Sequence, residues 1–379
     1  MNGVNRANWR SAIIVLAVLV VVVLVVVVRV MNSNTSCPPM LINDGVNNEA
    51  TNVANIDATK RLVAITTTFP LYDFAKQIGG EQVEVVSLLP AGVDAHDFEP
   101  TAKQMIEIAN ADVLFYNGAG FEMWIDKLIK ALKNDGDLFV VDGTEGLPLL
   151  DVNSDNHYEN ESNHTHEDNV SHEDNVSHEE DEVNHNHEED VSHEDNISHE
   201  DDHVHGVYDP HVWLNPQLAL LQAEKIYNAF CQLQPASATY FEDNFDKLKE
   251  QLLQLDLAFE QELAEVNNRT FMVSHSGYRY LADRYNLNPI AVTGIHPGAE
   301  PSQRELREMI DFLQASESKY IFFEPTVSNK LAEVVATEVG AQVLILHPLE
   351  NATKADIDNN ETYVSIMWRN LDNLKIALQ

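Results

Sequence analysis

Cysteine is nearly absent from this chain, with Cys37 and Cys231 the two in 379 residues. Two thiols exclude a disulfide framework and a thiolate metal site. Cys231 falls in an apolar helical run and reads as a lone buried thiol. Basic residues are also scarce, 23 Lys and Arg against 61 Asp and Glu, for a net charge of −38. So acidic a chain repels phosphate backbones and anionic lipid surfaces, which excludes nucleic acid as a partner. From Asp151 to His205 there is no Lys or Arg at all but 20 acidic residues, about half of the excess. Signatures of common enzymes are missing too, with no nucleophile elbow, phosphate-binding glycine loop or paired catalytic acids. One H-E-x-x-H match, His199 to His203, lies in a polar repeat without the amphipathic helix that motif requires. It is a coincidence of composition, and no catalytic site is expected.

What is present begins with the N-terminus. Arg6 and Arg10 precede an unbroken apolar run of 17 residues, Ala12–Val28, closed by Arg29. Its length as a helix, about 26 Å, falls just short of a hydrocarbon core, and a snorkelling Arg29 would let Val30 and Met31 extend it. The positive flank keeps the N-terminus cytoplasmic and exports everything after it. Residues 1–31 are therefore expected to form a signal or membrane anchor. Cleavage, or lipidation at Cys37, stays open. Residues 32–60, rich in Asn, Ser, Thr and Pro, read as a spacer.

From Leu62 onward, strand and helix patterns alternate, which predicts a parallel sheet covered by helices. Strands are expected at Leu62–Thr67, Val83–Leu89, Val113–Tyr116 and Leu138–Val141, with helices at Leu71–Ile78, Thr101–Asn110 and Phe121–Lys133. Residues 151–205 interrupt the rhythm with near-copies of a six-residue unit, V-S-H-E-D-N, at Val170, Val176, Val191 and Ile197. The unit is too polar to bury a face and reads as a disordered insert. After Pro216 a helix runs to Gln234. A second, long helix carries Phe241, Phe245, Leu248, Leu252, Leu255, Phe259, Leu263 and Val266 on one stripe, the spacing of a connecting rod. The rhythm then resumes with strands at Thr270–Ser274, Pro289–Thr293, Tyr320–Phe323 and Gln342–Leu346. The expected architecture is α/β: two lobes, each a mostly parallel sheet flanked by helices, joined by one long backbone helix. Its boundaries are 61–234 (with the insert), 235–267 for the connector and 268–379.

Five histidines lie outside the insert: His96, His211, His275, His296 and His347. His211 stands in D-P-H-V-W-L-N-P (Asp209–Pro216), where two prolines and Trp213 restrict it as a fixed ligand requires. His96 follows the second strand, His211 the fourth, His275 the strand ending at Ser274, and His347 the strand ending at Leu346. Ligands of open α/β sheets bind at the carboxyl ends of strands, so one cleft between the lobes could gather these side chains around a transition metal.

The segments G-V-D-A-H-D-F-E-P (from Gly92), D-P-H-V-W-L-N-P, F-M-V-S-H-S-G-Y-R-Y-L (from Phe271), Y-I-F-F-E-P (from Tyr320) and L-H-P-L-E-N-A-T (from Leu346) resemble those of the substrate-binding proteins of zinc and manganese ABC importers. The resemblance runs from about Leu62 to the C-terminus, the insert excepted. It implies two α/β lobes joined by a long helix, a metal held between them, and His96, His211 and His275 as ligands. For the fourth ligand it points to Glu350, with His347 as the rival, and it leaves Glu324 as a supporting residue. It further implies an integral-membrane ABC permease with a cytoplasmic ATPase as partner, a monomer, and a His- and acid-rich loop that gathers zinc. Three imidazoles and a carboxylate suit tetrahedral Zn²⁺, whereas Mn²⁺ favours more oxygen. A manganese importer component and a surface adhesin remain the alternative readings.

Overall fold

The computed structural model describes residues 61–132, 138–152, 208–293, 303–315, 319–325 and 329–379. The leader, the spacer with Cys37, all but the first two residues of the insert, its H-E-x-x-H match and His296 lie outside the described residues. No helix among the described residues is long and apolar enough to cross a membrane.

In the first half, β1 (Leu62–Thr66), β2 (Val83–Ser87), β3 (Val113–Tyr116) and β4 (Phe139–Asp142) form one parallel sheet in the order β2–β1–β3–β4. β1 is the run L-V-A-I-T; of its residues only Val63 is less than fully buried, as expected of a central strand covered on both faces. Helices α1 (Phe69–Gly79), α2 (Ala102–Ala109) and α3 (Ile125–Leu132) connect the strands. Thr101 and Gln104 form a capping box at the start of α2 and satisfy donors that the helix leaves unpaired. α3 is shorter than the apolar pattern predicts. Gly118, Ala119 and Gly120 all take positive φ, and the Glu122 carboxylate accepts the Asn117 and Gly118 N–H groups. Phe121 and Glu122 are thus committed to a turn before the helix begins.

α4 (Pro216–Leu233) starts where Pro216 supplies a preset φ and Asn215 caps the Gln217 N–H. A short 3-10 turn at Pro235–Ser237 separates it from α5 (Ala238–Ala264), whose 27 residues make a rod of about 40 Å. The predicted stripe of α5 is buried from Phe241 to Leu263. Tyr227 of α4 stacks on Phe245 of α5 with ring centroids 4.9 Å apart.

The second half repeats the first. β5 (Thr270–His275) pairs in parallel with β6 (Asn288–Thr293), β7 (Tyr320–Phe323) with β8 (Gln342–Ile345), and β5 lies beside β7. These are two separate two-stranded sheets, whose spatial succession β6–β5–β7–β8 follows that of β2–β1–β3–β4. Helices α6 (Arg279–Tyr285), α7 (Gln303–Ala315) and α8 (Asn329–Val339) connect the strands. A one-turn helix, α9 (Lys354–Asp358), that the apolar pattern does not announce begins at a capping box of Thr353 and Asp356. α10 (Tyr363–Leu378) ends the chain.

The lobes share a core instead of meeting at a hinge. One continuous apolar cluster contains Phe74 and Phe115 from the first half with Phe271, Leu349 and Met367 from the second. Polar clamps reinforce it. The Tyr363 N–H donates to Asp73 of α1 at 2.8 Å, and its hydroxyl donates to the Trp213 carbonyl. Burial pushes the Asp73 carboxyl up to about 6, against the lowering pull of its bonds to Tyr363 and Gln77. On α5, Asp256 accepts from Gln217 of α4 and from Arg284 and Tyr285 of α6. The long helix is thereby tied to both halves.

Candidate metal centre

Two of the four functional residues are delivered from their strand ends by a local bond that the sequence encodes. In the loop after β2, Asp94 Oδ1 accepts the His96 N–H at 2.9 Å. In the loop after β4, Asp209 Oδ1 accepts the His211 N–H at 2.9 Å, the same turn two residues long. Val212–Leu214 then form a fully buried 3-10 turn, and the Trp213 indole N–H donates to the Pro348 carbonyl at 2.7 Å. His275 is the last residue of β5, so the strand runs one residue further than its apolar pattern. Glu350 sits in the loop after β8, with its own carbonyl accepting the Phe69 N–H at the start of α1.

These four side chains converge. His96, His211, His275 and Glu350 are all buried and offer donor atoms that lie within 4.8 Å of one another. Glu350 Oε1 is 3.3 Å from His96 Nε2, 3.1 Å from His211 Nε2 and 3.1 Å from His275 Nε2. The opposite ring nitrogens are engaged from behind. His211 Nδ1 is 2.8 Å from Asp209 Oδ1, and His275 Nδ1 is 2.5 Å from Glu324 Oε1, which also accepts the Ser274 hydroxyl. A carboxylate at Nδ1 places the ring proton there and turns the Nε2 lone pair toward the centre. His275 Nε2 sits off the hydrogen-bonding direction to Glu350 and is a buried nitrogen without a hydrogen-bond partner. Phe121 and Trp213 wall the imidazoles, with Phe121 4.8 Å from the His96 ring and Trp213 5.3 Å from the His211 ring.

His347 takes no part in the convergence. Its Nδ1 accepts the Leu349 N–H at 2.9 Å and its Nε2 lies 3.2 Å from Asp356 Oδ2, so both ring nitrogens are committed elsewhere. Sequence reasoning overlooked Asp209, although D-A-H and D-P-H share a two-residue spacing that was a usable signal. Glu324, taken as a supporting residue, is the carboxylate behind His275.

The electrostatics follow from three carboxylates packed round three imidazoles. Burial works against the charge on Glu350, yet the hydrogen bond from His211, the close approach of the His275 ring and the hydrogen bond from His96 outweigh it and hold the carboxyl well below its usual range. Burial would lower both His211 and His275, but Asp209 and Glu350 raise the first, and Glu324 and Glu350 push the second up to about 10. A metal-free centre therefore balances its carboxylates with imidazolium protons. A divalent cation at the same point supplies that positive charge and frees Nε2 to coordinate. Three Nε2 atoms and one carboxylate oxygen make the N₃O set of a four-coordinate cation such as Zn²⁺.

The chain has relatives among zinc-uptake proteins. Residues 64–377 match the family described as "ZnuA: Zinc-uptake complex component A periplasmic". The chain is 31% identical over 326 residues to the zinc-binding lipoprotein AdcA of Streptococcus pneumoniae, covering 84% of this chain but 56% of that one, so it spans little more than half of that relative. It is 30% identical over 318 residues to the high-affinity zinc uptake system protein ZnuA of Bacillus subtilis, covering 84% of this chain and 88% of the other. The crystal structure of the Zn(II)-bound ZnuA-like domain of S. pneumoniae AdcA superposes with a TM-score of 0.65 at 28% identity, over 84% of this chain and 99% of that domain. By the extent of these matches the chain belongs to the ZnuA family, the periplasmic component A of zinc-uptake complexes.

Proposed function

We propose that this protein captures Zn²⁺ outside the cytoplasm and delivers it to an ABC-type metal permease driven by a cytoplasmic ATPase. The observation that carries the reading is the convergence of His96, His211, His275 and Glu350, with His211 and His275 backed at Nδ1 by carboxylates. These four are the ligands in this reading. It is a binding role and not catalysis: the centre gathers donors of complete coordination and no nucleophile. Zinc is favoured over manganese because imidazole outnumbers oxygen in the donor set.

The division of labour along the chain follows. Residues 1–31 export and tether the protein and 32–60 space it from the membrane. Residues 61–234 and 268–379 are the lobes, with 235–267 as the connecting helix, and the protein acts as a monomer. The insert, 151–205, holds several zinc ions weakly and raises their local concentration, so its removal leaves the single tight site intact. The shared core and the Asp256 clamp support a small closure on zinc rather than a wide hinge.

Elemental analysis of the purified chain, with anomalous diffraction at the zinc edge, tests the assignment. The expected result is a zinc peak ringed by three Nε2 atoms and a Glu350 oxygen. A peak on His347, or manganese in its place, would refute it.

A further inference from the structure

The residue after β8 that brings Glu350 to the centre is a leucine in a left-handed conformation. Leu349 has φ 61°, which an L side chain rarely adopts, while its side chain is completely buried in the shared core. Something must make that turn the stable one. The backbone of residues 347–350 is fastened to its surroundings at three points: the Pro348 carbonyl to Trp213, the Glu350 carbonyl to the Phe69 N–H, and the His347 backbone to the Asn370 side chain. None of them acts within the turn. The bond that does is internal: His347 Nδ1 accepts the Leu349 N–H at 2.9 Å. Since Nδ1 is the acceptor, the ring proton sits on Nε2, which faces Asp356 Oδ2 at 3.2 Å. Asp356 is itself held by Thr353 and Arg369. Burial works against its charge, but bonds from His347 and Thr353 keep its carboxyl far below the usual range, so it stays an acceptor.

The other two loops use the same device. Asp94 Oδ1 and Asp209 Oδ1 each accept the N–H two residues on, and that N–H belongs to a histidine of the centre. In His347 the δ1 atom is a nitrogen instead of an oxygen, bonded to Cγ in the same way.

We propose that His347 is the positioning residue for Glu350, its Nδ1 closing the turn through the Leu349 N–H that carries the carboxylate to the metal. This rests on the zinc centre argued above and adds to it a requirement for an acceptor at the δ1 position of residue 347. Asparagine meets that requirement, because its Oδ1 accepts from the residue two further on. Glutamine is equally polar but carries its oxygen one bond too far.

The test compares H347N and H347Q in the full chain. Zn²⁺ affinity is measured by chelator competition, and Co²⁺ serves as a visible probe of the coordination shell. H347N should bind within about threefold of the native chain with an unchanged Co²⁺ spectrum, although it can no longer reach Asp356, whereas H347Q should bind about 10–100-fold more weakly. The Co²⁺ spectrum of H347Q should move toward that of Glu350→Ala, a change that general destabilisation would not produce. Should H347Q fail to fold, H347F, similar in shape but without an acceptor, takes its place with the same expectation. The inference is overturned if H347N weakens as far as H347Q, or if H347Q or H347F keeps native affinity and spectrum. If the native chain itself gives no tetrahedral Co²⁺ spectrum, the zinc reading falls and takes this inference with it.

Discussion

Each lobe bonds a buried carboxylate to a hydroxyl at the end of its first strand and uses that carboxylate differently. In the first, Glu122 follows β3 and accepts the hydroxyl of Thr67 at the end of β1 at 2.5 Å. In the second, Glu324 follows β7 and accepts the hydroxyl of Ser274 near the end of β5. The remaining bonds of Glu122 go to the backbone N–H groups of Asn117 and Gly118, and burial pushes its carboxyl up to about 7 against those donors. The remaining bond of Glu324 goes to His275 Nδ1. The difference lies one residue along the neighbouring strand, where the second lobe has His275 and the first has Thr68. A scaffold position that braces a loop in one lobe thus fixes the ring of a buried imidazole in the other. The repeat of topology is structural, and the second lobe differs by a histidine that meets the carboxylate.

Substitutions can break that comparison at graded depths. The largest effect is expected from Glu350→Ala, which removes a donor outright and leaves three imidazoles crowded without their anion. Zinc affinity should fall by more than about 100-fold, beyond the range of outer partners, as titration calorimetry would read. Next come the paired carboxylates. Glu324→Ala should weaken zinc by about 10–100-fold by freeing the His275 ring. Glu122→Gln should leave affinity nearly untouched and cost about 1–3 kcal/mol of folding stability in denaturant unfolding, because the Gly118 N–H loses its acceptor. Equal losses of zinc affinity from both would erase the distinction drawn here.

A smaller, pH-dependent effect belongs to the second lobe. With its pKa raised to about 10 from 6.5, His275 stabilises the metal-free fold fully below pH 6.5, and that contribution is lost as pH rises through about 10. Coordination needs the neutral ring, so zinc must displace this proton, and the upward shift of His211 beside Asp209 and Glu350 adds to the demand. Calorimetry near pH 7.5 in buffers of different ionisation enthalpy should report about one to two protons released per zinc, and affinity should rise with pH. His275→Ala should lower the proton count, and no release from the native chain would contradict the charge balance argued for the centre. Smallest of all is the change of shape. X-ray scattering profiles of the metal-free and zinc-loaded chain should nearly superimpose, since lobe rotation would tear the core that joins Phe74 and Phe115 to Leu349 and Met367. A marked contraction on loading would show that the lobes are less firmly joined than their shared cluster implies.

Much of the fold was legible in the chain because its signals are local. Apolar periodicity located all eight strands β1 to β8, and Phe241 to Leu263 announced the long helix by a stripe that is buried in the structure. Where the reading slipped, a tertiary contact overrode the local pattern. α3 begins at Ile125 and not at Phe121, because Glu122 is drawn back to the Asn117 and Gly118 N–H groups. The helix at Lys354–Asp358 went unseen because one turn leaves no periodicity to detect; its capping box is the only mark. Position after a strand named His96, His211 and His275 but named His347 with them, since the carboxyl ends of parallel strands all lie at one end of a sheet whichever way the side chain turns.

Residue order alone settled the alternation of strands and helices, the acidic balance, the scarcity of thiols and the loops from which imidazoles project, all consequences of short-range chemistry. Choosing between Glu350 and His347 was a different kind of question. The two stand three residues apart at the same strand end, and no local pattern says which faces inward. Long-range packing separated them in space: the left-handed turn at Leu349 and the anchor at Phe69 bring the carboxylate to three Nε2 atoms, while Asp356 and the Leu349 N–H occupy both nitrogens of the imidazole.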